Sequence, residues 1–320
     1  MPLYTQSGAK GLGAPAQALP INESLVHRGM NLDPLFTTMR TLFTLLISMI
    51  LLQSCQDGQS ARPALNTEAA YTLRDVAYGN DTAQRMDVYL PARRSSATTP
   101  VMVLVHGGGW TGGNKNDFNS YIESFRRRMP EYAFVNINYR LVNGPVLLDA
   151  QRADVRAAID AVRGKTGEWN VNGRKLVLLG ASAGAHLALL EAYSRPGVTA
   201  VVDFFGPTDL VAMHEQPWHP LVPLAVQMIM GAPLAQQRAA YEAASPVRLV
   251  TAQAPPTLIL HGSKDPVVAL SQSKALEGRL AEAGVAHELV VYPGAGHGWH
   301  GSTLTKSFDV LEKFLEQHVK

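Results

Sequence analysis

The sequence predicts an α/β protein: a mixed, mostly parallel sheet of about eight strands, with helices on both faces and a small cap-like insertion. Three observations carry this. Short unbroken apolar runs such as V-M-V-L-V at 101–105 recur along the chain, as strands buried on both faces require. Segments with apolar residues at helical spacing alternate with those runs. The first two strand-like segments instead lie close together across a turn-rich linker, which makes an antiparallel start. Strand and helix in alternation then build a parallel sheet covered on both sides.

Taken in order, residues 71–76 and 85–90 form the opening hairpin, joined through G-N-D-T. The buried runs follow at 101–105, 133–137, 176–179, 200–205, 257–260 and 288–291. Helical spacing marks 119–128, 149–163, 185–194, 271–283 and 307–318. Residues 207–250 break the rhythm, with six prolines, W-H-P-L-V-P-L and a Met-rich stretch where one crossover helix would suffice. They read as a cap over the carboxyl edge of the sheet, or as an irregular crossover.

A chain of 320 residues, 46% of them hydrophobic, can bury one large core. Lys plus Arg (28) against Asp plus Glu (26) leaves a net charge of +2, and no basic run is interleaved with aromatics. Nucleic acid is therefore excluded as the expected partner. The one cysteine, Cys55, cannot form an internal disulfide. It ends the stretch M-R-T-L-F-T-L-L-I-S-M-I-L-L-Q-S-C at 39–55, whose apolar part is short for a membrane span. That stretch resembles a bacterial lipoprotein signal peptide with L-Q-S-C as its lipobox. The resemblance implies cleavage before Cys55, lipid on its sulfur, and a place in the bacterial cell envelope, lipid-anchored or secreted. A buried helix or an uncleaved anchor are the alternatives. The residues ahead of this segment make an odd extension for a secreted protein; translation from Met39 would remove them and translation from Met30 would remove most of them.

Four short motifs carry chemistry. G-A-S-A-G at 180–184 places Ser182 at a strand-to-helix turn, where small flanking residues let the hydroxyl stand at the sheet edge. H-G-G-G-W at 106–110 follows a strand, and its glycine amides suit a developing oxyanion, with the Ala183 amide completing the set. A phosphate loop is not expected, because no G-K-[ST] ending follows and the acidic partner of a dinucleotide-binding loop is missing. Serine needs a base, and the base needs an acid to hold its tautomer. Asp265 in H-G-S-K-D-P and His297 in G-A-G-H-G-W follow successive strands, so both land on the edge that carries Ser182. Asp209 and His300 are the rivals for those two places.

At these residues the chain resembles the α/β-hydrolase superfamily, in particular its HGGG-bearing esterases. The likeness lies near the hormone-sensitive lipase group and the small carboxylesterases found as feruloyl or acetylxylan esterase modules. It runs from about Tyr71 to the C-terminus through H-G-G-G-W, N-Y-R-L, G-A-S-A-G, S-P-V, H-G-S-K-D-P-V-V and G-A-G-H-G-W. Ala181 stands where the lipase group usually has an acidic residue, and that group's N-terminal cap helices are missing, which favours the smaller esterases.

The resemblance implies an α/β-hydrolase fold with Ser182, Asp265 and His297 as a catalytic triad. Gly108, Gly109 and Ala183 would be the oxyanion donors, and His106 would be structural. It further implies hydrolysis of short-chain or aryl esters, or of acetyl or feruloyl esters on polysaccharide, with no cofactor and no metal. An amidase or peptidase of the same fold would share every catalytic residue, and a non-catalytic binding protein would be expected to lose one. Trp110, Trp218 and Trp299 are candidates to line the cleft. The expected organisation is an extension plus signal over 1–54, a flexible tether over 55–70 and a catalytic domain over 71–320, with 207–250 inserted.

Overall fold

The computed structural model describes residues 65–319. The signal-like segment, Cys55 and most of the expected tether lie outside the described residues. Eight strands form one sheet. They are β1 (Tyr71–Ala77), β2 (Arg85–Leu90), β3 (Val101–Val105), β4 (Ala133–Ile137), β5 (Leu176–Ala181), β6 (Ala200–Phe204), β7 (Thr257–Gly262) and β8 (His287–Tyr292). Their order is β1-β2-β4-β3-β5-β6-β7-β8. The β1–β2 and β2–β4 pairs are antiparallel and the other five are parallel, so the sheet is mixed and mostly parallel.

Helices cover both faces: α1 (Asn119–Arg128), α2 (Leu148–Gly164), α3 (Thr166–Trp169), α4 (Ala183–Ser194), α5 (Leu210–Glu215), α6 (Val222–Met230), α7 (Leu234–Ala243), α8 (Pro246–Leu249), α9 (Leu270–Glu282) and α10 (Gly301–His318). Side chains alternate across a strand, and β3 shows the result. Val101, Val103 and Val105 join one core with Ile159 of α2, Leu187 of α4 and Leu276 of α9. Met102 and Leu104 join the other with Phe125 of α1 and Phe314 of α10. The sheet's carboxyl ends are thereby held between two dry layers, and the loops leaving β3, β5, β6, β7 and β8 share one rim.

Three details differ from the expectations. Residues 207–250, expected as a cap-like insertion or an irregular crossover with no helices assigned, hold four short helices, α5 to α8. The prolines that break the sequence pattern open α6 and α8, where a missing amide costs nothing. The last helix starts at Gly301, six residues early, because its first turn, G-S-T-L, carries little apolar signal. Residues 65–70, expected in the tether, are pinned instead. The Leu65 amide donates to Glu168 O at 3.1 Å, and the buried Arg94 guanidinium donates to the carbonyls of Leu65 (3.1 Å) and Ala69 (2.7 Å).

Candidate active site

Strand β5 delivers Ser182 into a backbone conformation that few side chains adopt, φ 54° and ψ −122°, before α4 begins at Ala183. Such strain persists only where the surroundings fix it. Here the Ser182 amide donates to Phe204 O at 2.8 Å and its carbonyl accepts from the His186 amide at 3.1 Å. Gly184 lets α4 press onto the end of β3: a Cβ there would lie 2.1 Å from Val105 O and 2.2 Å from His106 O.

The three side chains chosen from sequence meet. His297 Nε2 lies 3.0 Å from Ser182 Oγ, and His297 Nδ1 lies 2.7 Å from Asp265 Oδ2. The other carboxylate oxygen, Oδ1, accepts from the amides of Val267 (2.8 Å) and Val268 (2.9 Å). An imidazole with its Nδ1–H on a carboxylate presents a basic Nε2 to the serine hydroxyl. The Asp265 side chain is fully buried. Burial would raise its carboxyl, but His261, His297 and the two amides outweigh that and hold it well below the usual carboxylate range. It is therefore a fixed negative charge beside His297.

The rivals make neither of these contacts. Asp209 caps α5, accepting from the Ala212 amide at 2.9 Å, and its carboxylate lies 4.0 Å from Arg248. His300 is exposed at the start of α10.

The loop after β3 abuts the serine turn, since a Cβ on Gly107 would lie 3.3 Å from Ser182 Cβ. Gly108 has φ 112°, and a Cβ there would meet Gly112 O at 2.1 Å, so the loop folds back only with glycine in that place. Among the described residues, the amides of Gly108, Gly109 and Ala183 donate to no protein acceptor. His106 stacks on Tyr139 with centroids 4.2 Å apart, donates from Nδ1 to Gly107 O at 2.7 Å, and takes no place beside Ser182.

Trp110 does not line the cleft. It is 6% exposed, and its Nε1 donates to His186 Nδ1 at 3.2 Å; His186 Nε2 in turn donates to Ala244 O at 2.8 Å. Burial holds His186 down at about 4, so it stays a neutral relay between its two partners. The Trp110 carbonyl accepts from the Val142 amide and from Gln151 Nε2.

Trp299 does line a cavity. This hollow of about 290 Å³ opens beside His297 and is walled largely by aromatic rings, among them Tyr121, Phe204, Phe205, Trp299 and Phe308. Trp218 sits instead against Val222, Pro266 and Val267 in a shallow hollow where the inserted helices meet the Asp265 loop. Sequence reading missed Phe205, which ends the run A-V-V-D-F-F like any core residue but has φ 47° and turns toward His297. It also missed His261, four residues before Asp265 and inside β7.

Known proteins share this arrangement of elements. A carbohydrate esterase from gut microbiota matches with a TM-score of 0.65 and 25% identity over 81% of this chain and 99% of its own. A thermophilic esterase from Thermogutta terrifontis, bound to butyrate, matches with a TM-score of 0.62 and 25% identity over 78% of this chain and 94% of its own. Among curated proteins, esterase LipQ of Mycobacterium tuberculosis is 30% identical over 78% of this chain and 62% of its own length. The chain thus spans about six tenths of that relative. The fold is the α/β-hydrolase fold. The BD-FAE family model matches residues 86–280, and the chain belongs to that family.

Proposed function

We propose that the chain is a serine carboxylic-ester hydrolase working through an acyl-enzyme. One observation carries the reading: Ser182 Oγ, His297 and the Asp265 carboxylate stand in an unbroken line, with contacts of 3.0 and 2.7 Å. His297 Nε2 takes the hydroxyl proton as Ser182 Oγ bonds to the acyl carbon. The carbonyl electron pair moves onto oxygen, which faces the free amides of Gly108, Gly109 and Ala183. Asp265 keeps Nδ1 protonated and offsets the charge on the ring. His297 then gives its proton to the departing alkoxide. Water, deprotonated by the same Nε2, attacks the acyl carbon and releases acid and serine.

Small aryl and short-chain alkyl esters are the proposed substrates. The aromatic cavity beside His297 supports an apolar or aryl half to the ester. Acetyl or feruloyl esters on polysaccharide belong to the same reading, supported by the likeness to the gut carbohydrate esterase. A fluorophosphonate probe tests the mechanism: it should attach once, on the peptide holding Ser182. Comparing p-nitrophenyl acetate with the matching anilide tests the class; faster anilide cleavage would make the protein an amidase.

We also infer envelope placement through lipid on Cys55, supported by the signal-like residues 39–55. Palmitate labelling of the full chain in a bacterial host should mark the native protein and not Cys55→Ser.

A further inference from the structure

A second imidazole also reaches the Asp265 carboxylate. His261 near the end of β7 is fully buried and held at both nitrogens. Its Nδ1 lies 2.7 Å from Ser273 Oγ of α9. Its Nε2 meets two acceptors, the Val268 carbonyl at 2.9 Å and Asp265 Oδ2 at 3.4 Å. A ring nitrogen facing two acceptors carries a proton whatever the state of the other nitrogen. The same Oδ2 receives His297 Nδ1–H.

We propose that His261 is a positioning residue for the reaction, fixing the Asp265 carboxylate both directly and through the Val268 backbone. The second route is as important as the first. The Val268 amide donates to Asp265 Oδ1 while the Val268 carbonyl accepts from His261, so the backbone on both sides of one residue couples the buried ring to the acid. Two amides on Oδ1, the His297 hydrogen bond to Oδ2 and the His261 contact at 3.4 Å together restrain the carboxylate from rotating away from His297. The proposal rests on the reading of Ser182, His297 and Asp265 as the catalytic triad.

The charged groups around the ring are few. Asp265 lies on the loop that leaves β7, and exposed Lys264 lies beside it in that loop. From β6 comes the fully buried Asp203, pushed up to about 7 by burial although the Gly206 amide and His261 pull it down. The β8 partner of His261 is Val291, and α9 offers the uncharged Ser273.

Removing the ring leaves the Asp265 charge less shared. Its bond to His297 Nδ1–H then strengthens and protonation of His297 becomes easier. The acid limb of kcat/KM therefore moves to higher pH, and the sign is the same whether His261 is neutral or cationic. The test is the pH profile of kcat/KM on p-nitrophenyl acetate for the full chain carrying Asp203→Asn, which removes the other titration beside the ring. Into that background go His261→Leu and His261→Gln, which keeps a donor.

His261→Leu should lose about tenfold to a hundredfold in rate, since a misplacement of about 1 Å among reacting groups can cost about a hundredfold. It should also shift the limb up by about half a pH unit or more. His261→Gln should return the limb toward its starting position. A folded His261→Leu whose limb stays in place overturns the proposal, whatever its rate, and so does a Gln variant shifted as far as the Leu one. If His261→Leu does not fold, Ser273→Ala, which frees Nδ1, must move the limb in the same direction; an unmoved limb overturns the proposal. Failure of the underlying reading is seen separately, as a Ser182→Ala protein that keeps its activity.

Discussion

The ring of Phe205 stands 4.5 Å from the His297 imidazole, centroid to centroid, and is tilted 59° to it. This phenylalanine holds a left-handed backbone, φ 47°, to reach that position, and it also wedges against Trp299 at 5.3 Å. It therefore walls the aromatic cavity and limits the swing of the base. Phe205→Ala should lower kcat/KM on p-nitrophenyl esters by about tenfold, the worth of one aromatic contact. Steady-state kinetics on aryl and methyl esters of one acid would check this, with the larger loss expected on the aryl ester.

Asp265→Asn keeps the size of the side chain but offers an amide where a carboxylate held the tautomer. A fall in kcat of about 10⁴-fold is expected, with little change in KM. Ser182→Ala should cost still more, about 10⁶-fold, and should abolish fluorophosphonate labelling.

Gly184→Ala tests the packing beneath the serine. The added methyl would lie 2.1 Å from Val105 O, an atom the sheet cannot move. Overpacking of this kind costs about 1–3 kcal/mol or more. The variant should melt several degrees lower or fail to accumulate, as circular dichroism would show.

Asp203 gives stability an unusual pH dependence. Its carboxyl keeps a proton in the folded state up to about 7, against 3.8 in the open chain. Between those values the unfolded chain binds fewer protons than the folded one, so stability falls as pH rises from 4 to 7 and levels off above. The loss from this group is roughly 4 kcal/mol at most. Asp203→Asn should therefore raise the melting temperature at pH 8 and change it little at pH 4. A variant equally stabilised at both values would show that the proton is not held.

The serine, its base and its acid were legible because each follows a strand-like apolar run, and the topology brings successive strand ends to one rim. The glycines around Ser182 and after β3 were legible for a related reason, as close backbone approach leaves room for little else. Residues 207–250 were not, because prolines that open α6 and α8 look the same in sequence as prolines that forbid helices. Trp110 was misplaced because a loop indole can face solvent or core, and the partner that decides it, His186, is 76 residues away. His261 and Asp203 were hidden inside apolar runs, where a polar residue reads as an exception until the strand beside it is known.

The chain from Trp110 through His186 to Ala244 ends on a main-chain oxygen. Recognition of a peptide group depends on where the backbone runs, and Ala244 is itself buried, so neither its carbonyl nor its small side chain is free to change. Anyone grafting the helices of 207–250 from a relative to change substrate scope must therefore reproduce the backbone path at that point. A graft that displaces it would strand a buried imidazole and loosen the glycine loop it steadies, spoiling turnover for every substrate alike.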